Sequence, residues 1–430
     1  MQSSLSESVQ QLVRPGKCVD LYYPDPQTAE KQCFRTTQNT RYTQTFTNTS
    51  GGSSVFTIPP NNGVQDIVLA FELPADGGAS PPDYRGAAVN RGWGYGLIKQ
   101  ISFRYGGSSQ YFLTGAQVLQ NALRQMPNTG ARDQLLSLGG NAAIGAAAGA
   151  GDFATAQRAY VWLSLPHCTP TAEGKLPPIP SDLLTQQIQI TCELFPVSSI
   201  FSSVTPTPVG QVLPTALSSA SFTVQQIILE NQGDALARRM DMTSHALSYP
   251  INFVQQEVAI PLANAVGQTI TLTGFRSGEV KSMQCWITKD SDTSGAVKNP
   301  FKWYAPEDMV ATYAGEVYAR FEKGSGALWN MVNGRIDPAV TDVALTDGGA
   351  GVIVPVPALD RWLEVPFAQS FDPLTAHSMY VSGKPITNGI VNLSFNLPSG
   401  VAPAADYTLH VSYVYNAVLT FSQGTCDYVI

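Results

Sequence analysis

GWGYGLIKQISFRYGG, residues Gly92 to Gly107, is the stretch whose reading decides the fold. Its opening, Gly92-Trp93-Gly94-Tyr95-Gly96, looks like a phosphate-cradling loop. Such a loop follows a strand and opens a helix, so that the helix N-terminus meets the phosphate. Here the order is reversed. Ile101, Phe103 and Tyr105 alternate with Ser102 and Arg104, which is the period of a strand, and Gly106-Gly107 makes the next turn. The spacing G-x-G-x-G is also wrong for a dinucleotide loop. The stretch predicts glycines that enter a strand and no nucleotide site.

Outward from it, period two dominates. Ile188, Ile190, Cys192 and Leu194 alternate with Gln189, Thr191 and Glu193. Val391, Leu393, Phe395 and Leu397 alternate with Asn392, Ser394 and Asn396. Leu409, Val411, Tyr413 and Tyr415 alternate with His410, Ser412 and Val414. Each is a half-buried strand pattern. In the last, Thr408, His410 and Ser412 are expected to face outward, with His410 a surface residue. Turn clusters separate the strands: Pro59-Pro60-Asn61-Asn62-Gly63, Pro177-Pro178-Ile179-Pro180 and Thr346-Asp347-Gly348-Gly349. Many strands between irregular loops imply a sandwich or barrel, not βαβ units.

Helical signals are few. Thr114-Gly115-Ala116-Gln117 has capping-box spacing, and Leu119, Ala122, Leu123 and Met126 follow at helical intervals. A second short helix is expected from Asp133 to Leu138, before Gly139-Gly140. Met309, Tyr313, Val317 and Phe321 fit a helix, yet Val317, Ala319 and Phe321 also fit a strand, and periodicity alone does not choose. The Gly/Ala run from Gly139 to Gly151 reads as a flexible loop. At the N-terminus, Leu5, Val9, Leu12 and Val13 form a short apolar helical stripe ended by Pro15-Gly16. It reads as a frayed end or as a helix that docks on a neighbouring surface.

Composition narrows the function. The chain has 430 residues, 43% of them hydrophobic, ample for a large core. Only 13% are charged, about half of the usual ~25%. A neutral polar surface suits wide protein–protein contact, because few charges must be desolvated; an unusual solitary β-protein is the other reading. The net charge of −7, without a basic run, disfavours direct nucleic-acid binding. MQSSLSESVQQLVRPG lacks the apolar core of a signal peptide, and no apolar run approaches ~20 residues. Cys18, Cys33, Cys168, Cys192, Cys285 and Cys426 are scattered without C-x-x-C spacing, which argues against a zinc ribbon. Cys18 and Cys33 could pair; buried free thiols in a reducing cytosol are the other reading.

Signs of chemistry are sparse. His167, His245, His377 and His410 are far apart, and no G-x-S-x-G, H-E-x-x-H or G-x-x-x-x-G-K-[ST] occurs. Gly174-Lys175 and Gly383-Lys384 lack the following Ser or Thr, and Asp290 and Asp292 lie in a polar loop. Asn48-Thr49-Ser50 and Asn392-Leu393-Ser394 read as chance glycosylation patterns. No catalytic residue, cofactor or metal is expected.

Four blocks in order then carry a resemblance. They are Trp93 with LIKQISFRYGGSSQYFLTGAQVLQNAL; YVWLSLPHCTPTAEGKLPPIPSDLLTQQIQITCEL; FTVQQIILENQGDALARRMDMTSHALSYPINFVQQEV; and VPFAQSFDPLTAHSMYVSGKPITNGIVNLSFNLPSG with YTLHVSYVYNAVLTFSQGTC. Spanning roughly residues 90–425, they resemble the major capsid proteins of large icosahedral double-stranded DNA viruses, the double jelly-roll family of the nucleocytoplasmic large DNA virus type. Two departures stand out: His167-Cys168 replaces aromatics, and LTFSQGTCDYVI replaces a Met-Ser-Gly tail.

The resemblance implies an all-β chain of two tandem eight-stranded jelly-roll sandwiches, with short helices in loops. The expected division is an N-terminal arm at 1–35, a first jelly roll at 36–240, a linker at 241–249 and a second jelly roll at 250–430. The implied function is a non-enzymatic major capsid protein that forms pseudo-hexameric homotrimeric capsomers in an icosahedral shell. Implied partners are its own copies, neighbouring capsomers, and minor capsid and penton proteins. An underlying membrane is left open, and no direct sequence-specific nucleic-acid binding is expected. The place is the virion capsid, assembled in the host cytoplasm. The loops at 139–151 and 341–351 are then expected to decorate the outer surface. The competing reading is a tandem jelly-roll carbohydrate-binding protein or glycoside hydrolase, with Trp303-Tyr304 and Trp329 as sugar platforms. A vertex component, usually a single jelly roll, fits the double length less well.

Overall fold

Strands form where the alternation is strictest. The computed structural model describes residues 37–61, 63–77, 81–106, 110–124, 126, 129–145, 151–163, 170–171, 174–175, 179, 181–203, 211–229, 247–255, 257–262, 267–289, 303–304, 307–321, 343–347, 350–354, 363–367, 383–387, 389–397, 407–422 and 424–429. The apolar stripe of the arm, Cys18, Cys33, Cys168, His167, His245, His377, Asp290, Asp292 and Trp329 lie outside these residues.

The first sandwich has eight strands: β1 Thr37–Thr45, β2 Gly52–Ile58, β3 Gly63–Leu73, β4 Ile98–Tyr105, β5 Gln110–Thr114, β6 Gln157–Leu163, β7 Ile188–Leu194 and β8 Ser219–Leu229. They pair antiparallel in two four-stranded sheets, β1-β8-β3-β6 and β2-β7-β4-β5. This interleaving of strands distant in sequence is the jelly-roll order. Ile67, Leu69, Phe71 and Leu73 line one face of β3, and Ile101, Phe103 and Tyr105 line one face of β4, all buried. Between the sheets Phe56 of β2 stacks on Phe222 of β8 with centroids 4.3 Å apart. Each such ring buried adds about 1.5–3 kcal/mol.

The second sandwich repeats the plan. Its strands are β9 Leu247–Val254, β10 Val258–Pro261, β11 Gln268–Thr271, β12 Gly278–Lys289, β13 Glu307–Tyr313, β14 Glu316–Phe321, β15 Leu363–Pro366, β16 Lys384–Ile386, β17 Val391–Asn396, β18 Tyr407–Ser422 and β19 Thr425–Val429. One sheet runs β9-β18-β12-β15 and the other β11-β17-β13-β14. β10 continues the β9 edge along β18, β16 continues the β15 edge along β12, and β19 folds back on the end of β18. Strand for strand, this is the order of the first sandwich. The chain is all-β, a double jelly roll.

The ambiguous Met309–Phe321 segment is therefore a hairpin, β13 to β14, turning at Ala314-Gly315 with positive φ at both. Pairing across the sheet with β17 overrides the helical spacing. A further hairpin, Val343–Asp347 with Ala350–Val354, occupies most of the expected 341–351 loop. Among the described residues, two ten-residue helices sit in the first roll: α1 Gly115–Arg124 and α2 Thr129–Leu138. The second is longer than its expected Asp133–Leu138 core.

The glycines of the opening stretch serve a close approach. After Gly92, at φ 77°, a single helical turn spans Trp93–Gly96 before β4 begins. The Gly92 and Gly94 amides donate to the carbonyls of Gly140 and Gly139 at 2.7 and 2.9 Å. A Cβ on Gly94 would stand 2.9 Å from the Gly139 oxygen, and one on Gly140 would stand 2.3 Å from Trp93 Nε1. Arg91 reinforces this clasp through an ion pair with Asp133 at 2.5 Å and a hydrogen bond to the Asp133 carbonyl. The flexible-loop reading of Gly139–Gly151 is therefore corrected for its first part. Gly139, Gly140 and Ala143 to Gly145 are buried, and Ala143–Ile144 pairs with Ala88–Val89. Backbone-to-backbone packing, which only glycine permits, replaces solvent there.

Candidate functional site

The capping-box signal leads to the contact between the two rolls. At the start of α1 the Gln117 amide nitrogen donates to Thr114 Oγ1 at 3.4 Å, and the Thr114 amide donates to Gln117 Oε1 at 3.1 Å. That is the reciprocal cap the spacing predicts. The same Gln117 side chain then reaches the second roll. Its Nε2 donates to the Gln255 carbonyl at 2.9 Å and to Ser412 Oγ at 3.1 Å. Both amide protons and the amide oxygen are thus satisfied. Ser412 Oγ donates onward to the Gln255 carbonyl at 2.6 Å.

Beside it runs a second polar chain. Thr114 Oγ1 donates to Glu257 Oε2 at 3.0 Å. Glu257 Oε1 lies 3.2 Å from His410 Nδ1, and His410 Nε2 lies 2.8 Å from Thr288 Oγ1. The Trp286 ring stacks on the imidazole at 5.3 Å, with planes 8° apart. Hydroxyl, imidazole and carboxylate stand in the order of a nucleophilic relay. Here, however, the carboxylate is shared with a threonine of the other roll and the ring is covered by an indole. The arrangement fastens two sandwiches.

An aromatic patch completes the contact. Tyr111 of β5 meets Phe253 of β9 edge-on at 5.1 Å, and Phe253 meets Tyr428 of β19 at 5.1 Å. Nearby, the Thr185 amide and hydroxyl both donate to the Gly424 carbonyl, at 2.8 and 3.0 Å.

These contacts correct two readings. Ser412, expected to face solvent, is fully buried, and His410, expected at the surface, is half-buried in the junction. The alternation placed both correctly on the face away from the core of their own sandwich. It carried no sign that the other sandwich covers that face. Ser282, Gln284 and Trp286 of β12 are buried on the same face. Among these residues only the Thr114/Gln117 cap had a sequence signal. Sliding one roll over the other would strand these groups, at about 1–3 kcal/mol for each unsatisfied donor or acceptor.

Other candidates resolve simply. Trp303 is buried in the core and offers no platform to a sugar. Cys192, Cys285 and Cys426 are free and buried. Burial pushes the Cys285 thiol up to about 12, so it stays protonated and unreactive. Among the described residues, no group of three or more His, Cys, Asp or Glu stands close enough to hold a metal, and no helix is long and apolar enough to cross a membrane.

Comparison with known proteins turns on the fold. No family model matches the chain, and no curated protein matches it in sequence. Solved structures do match. The VP54 structure of PBCV-1, fitted into a reconstruction of the virophage Sputnik, is similar with a TM-score of 0.63 at 15% identity, covering 92% of this chain and 97% of that one. A chain of the Sputnik virophage structure is similar at 0.55 and 11%, covering 91% and 88%. The Faustovirus major capsid protein is similar at 0.51 and 9%, covering 96% and 92%. Over nearly its whole length, the chain has the double jelly-roll fold of viral major capsid proteins.

Proposed function

We propose that this chain is a major capsid protein, a non-enzymatic building block of an icosahedral viral shell. One observation carries the reading: both eight-stranded rolls, in the same order, align with capsid proteins over 92% of this chain and 97% of the other. The fastened junction supports it, because a shell needs a protomer whose two halves keep one orientation. The low charge, 13% of residues, supports it too, since little charge must be desolvated at subunit walls.

On this reading the chain forms pseudo-hexameric homotrimers that meet neighbouring capsomers and minor capsid and penton proteins. It is assembled in the host cytoplasm and resides in the virion. Residues 1–35 act as an arm, 36–240 and 250–430 as the two rolls, and 241–249 as the linker. Light scattering and electron microscopy of the purified full chain test this. The expected result is a particle near three times 46.0 kDa with a hexagonal outline. A stable monomer that binds polysaccharide would overturn it in favour of the carbohydrate-binding alternative.

A further inference from the structure

We infer that β19 is a strap: it fastens the first roll to the second and opens as a unit of its own, apart from either sandwich. The sheet order points to it. In the first roll β8 keeps the same two neighbours, β1 on one side and β3 on the other. In the second roll β18 changes neighbours on one side. β12 pairs with it from Tyr407 to Tyr415, and β19 from Val418 to Ser422. Each roll has its eight strands in two sheets of four without counting β19. The strand is surplus to the sandwich, so its release leaves the order of both rolls whole.

Its contacts lie on the first roll as well as on its own. Cys426 is buried and Tyr428 half-buried, while Thr425 and Asp427 are exposed. The Tyr428 ring packs against Phe253 of β9 at 5.1 Å and edge-on to Tyr111 of β5 at 6.5 Å, and Tyr111 is left 1% exposed. At the turn before the strand, the Gly424 carbonyl accepts from both the amide and the hydroxyl of Thr185, which precedes β7. A Cβ on Gly424, at φ 80°, would stand 2.5 Å from Thr185 Cγ2. Only glycine lets the turn come so close to the first roll.

Its hold is weaker than that of the strands beneath it. β19 has five residues and, among the described residues, pairs only with β18. The Tyr428 hydroxyl is buried without a hydrogen-bond partner among the described residues, which favours the open state. A short edge strand with few such contacts opens locally at a lower free energy than a sandwich core. Opening uncovers Tyr111, Phe253 and the β18 edge from Val418 to Ser422. The hydrogen bonds of Gln117 to Gln255 and Ser412 do not involve β19 and persist. The strap thus lets the junction loosen and reset without unfolding a roll.

Cys426 supplies the readout. It is 3% exposed, and burial raises its thiol pKa, so in the closed strand it is protonated and covered. Cys192 of β7 and Cys285 of β12, both 0% exposed, report on the cores of the two rolls. The full chain is treated with iodoacetamide in native buffer, and the alkylation rate of each cysteine is read by peptide mass spectrometry. Cys426 should react about tenfold faster than Cys192 and Cys285, or more. Tyr428→Ser should speed Cys426 roughly tenfold further, and Thr185→Val, on the first roll, roughly threefold, with the Cys192 and Cys285 rates unchanged. Equal rates at these three cysteines in the wild type would show that β19 opens only with its roll, and the inference fails. If Thr185→Val leaves the Cys426 rate unchanged, the first roll does not hold the strand. If either substitution raises all three rates together, the strand is an integral part of the fold. Each of these results overturns the inference. Should Tyr428→Ser be insoluble, Thr185→Val decides by itself.

Discussion

The closing strands β8 and β18 hold the same place in their sandwiches, yet their surroundings differ. On β8, Ala220, Phe222 and Val224 are buried while Ser221, Thr223 and Gln225 are half-buried, as plain alternation requires. On β18 every residue from Val411 to Tyr415 is buried. The first strand has a core on one side only. The second has a core on one side and the other sandwich on the other. Equal position in a repeated fold therefore does not mean equal tolerance to change.

The largest expected effect is one that should not separate the strands. Val411→Asp and Val224→Asp both place a charge in an apolar core, at several kcal/mol. Both should abolish soluble protein on expression. If either variant stayed soluble, that strand's register would be wrong, because a one-residue slip exchanges its faces.

The next effect should separate them. Ser412→Arg buries an unpaired charge in the junction and breaks the Gln117 network, costing roughly 3–5 kcal/mol. Thr223→Arg, at the half-buried outer face of β8, should change stability by less than about 0.5 kcal/mol. Urea midpoints of the two variants measure the gap, and equal midpoints would erase the distinction drawn here.

Gly140→Ala probes the first roll where its packing is tightest. The added methyl meets the Trp93 indole, and φ at this position is +118°. Strain and overpacking together should cost roughly 2–4 kcal/mol. Thermal unfolding followed by Trp fluorescence should show the loss. An unchanged midpoint would mean that the clasp yields easily.

The smallest effect concerns acid. The Arg91 guanidinium beside Asp133 holds its carboxyl below the usual carboxylate value. That stabilisation is fully present above the unfolded pKa of about 3.9 and fades as pH falls through the lower folded value. Asp133→Asn should therefore lower the melting temperature slightly at pH 6 and approach the wild type below about pH 3. Because the Asp133 side chain is 55% exposed, the difference should stay under about 1 kcal/mol. A gap that widened in acid would contradict the sign.

Much of this architecture was legible in the residues. Period two placed β4, β7, β17 and β18, and the Thr114/Gln117 spacing placed the start of α1, because both signals depend on neighbours a few residues apart. The hairpin at 307–321 stayed ambiguous, since its residues satisfy both periods and only pairing with β17 decides. The glycines of the opening stretch lead through one helical turn into β4, the strand that the alternation after them implies. Their purpose was invisible, because the partners Gly139 and Gly140 lie 45 to 48 residues further on.

The junction shows the same limit at longer range. By itself the sequence determined which residues share a face of each strand, because side-chain direction follows the backbone period. Only the tertiary structure decided what covers each face. Gln117 and Ser412 are 295 positions apart, and the hydrogen bond between them exists only when both sandwiches are complete and in place. A serine that suits water equally suits a satisfied donor and acceptor pair, so its chemistry alone could not tell solvent from the neighbouring roll.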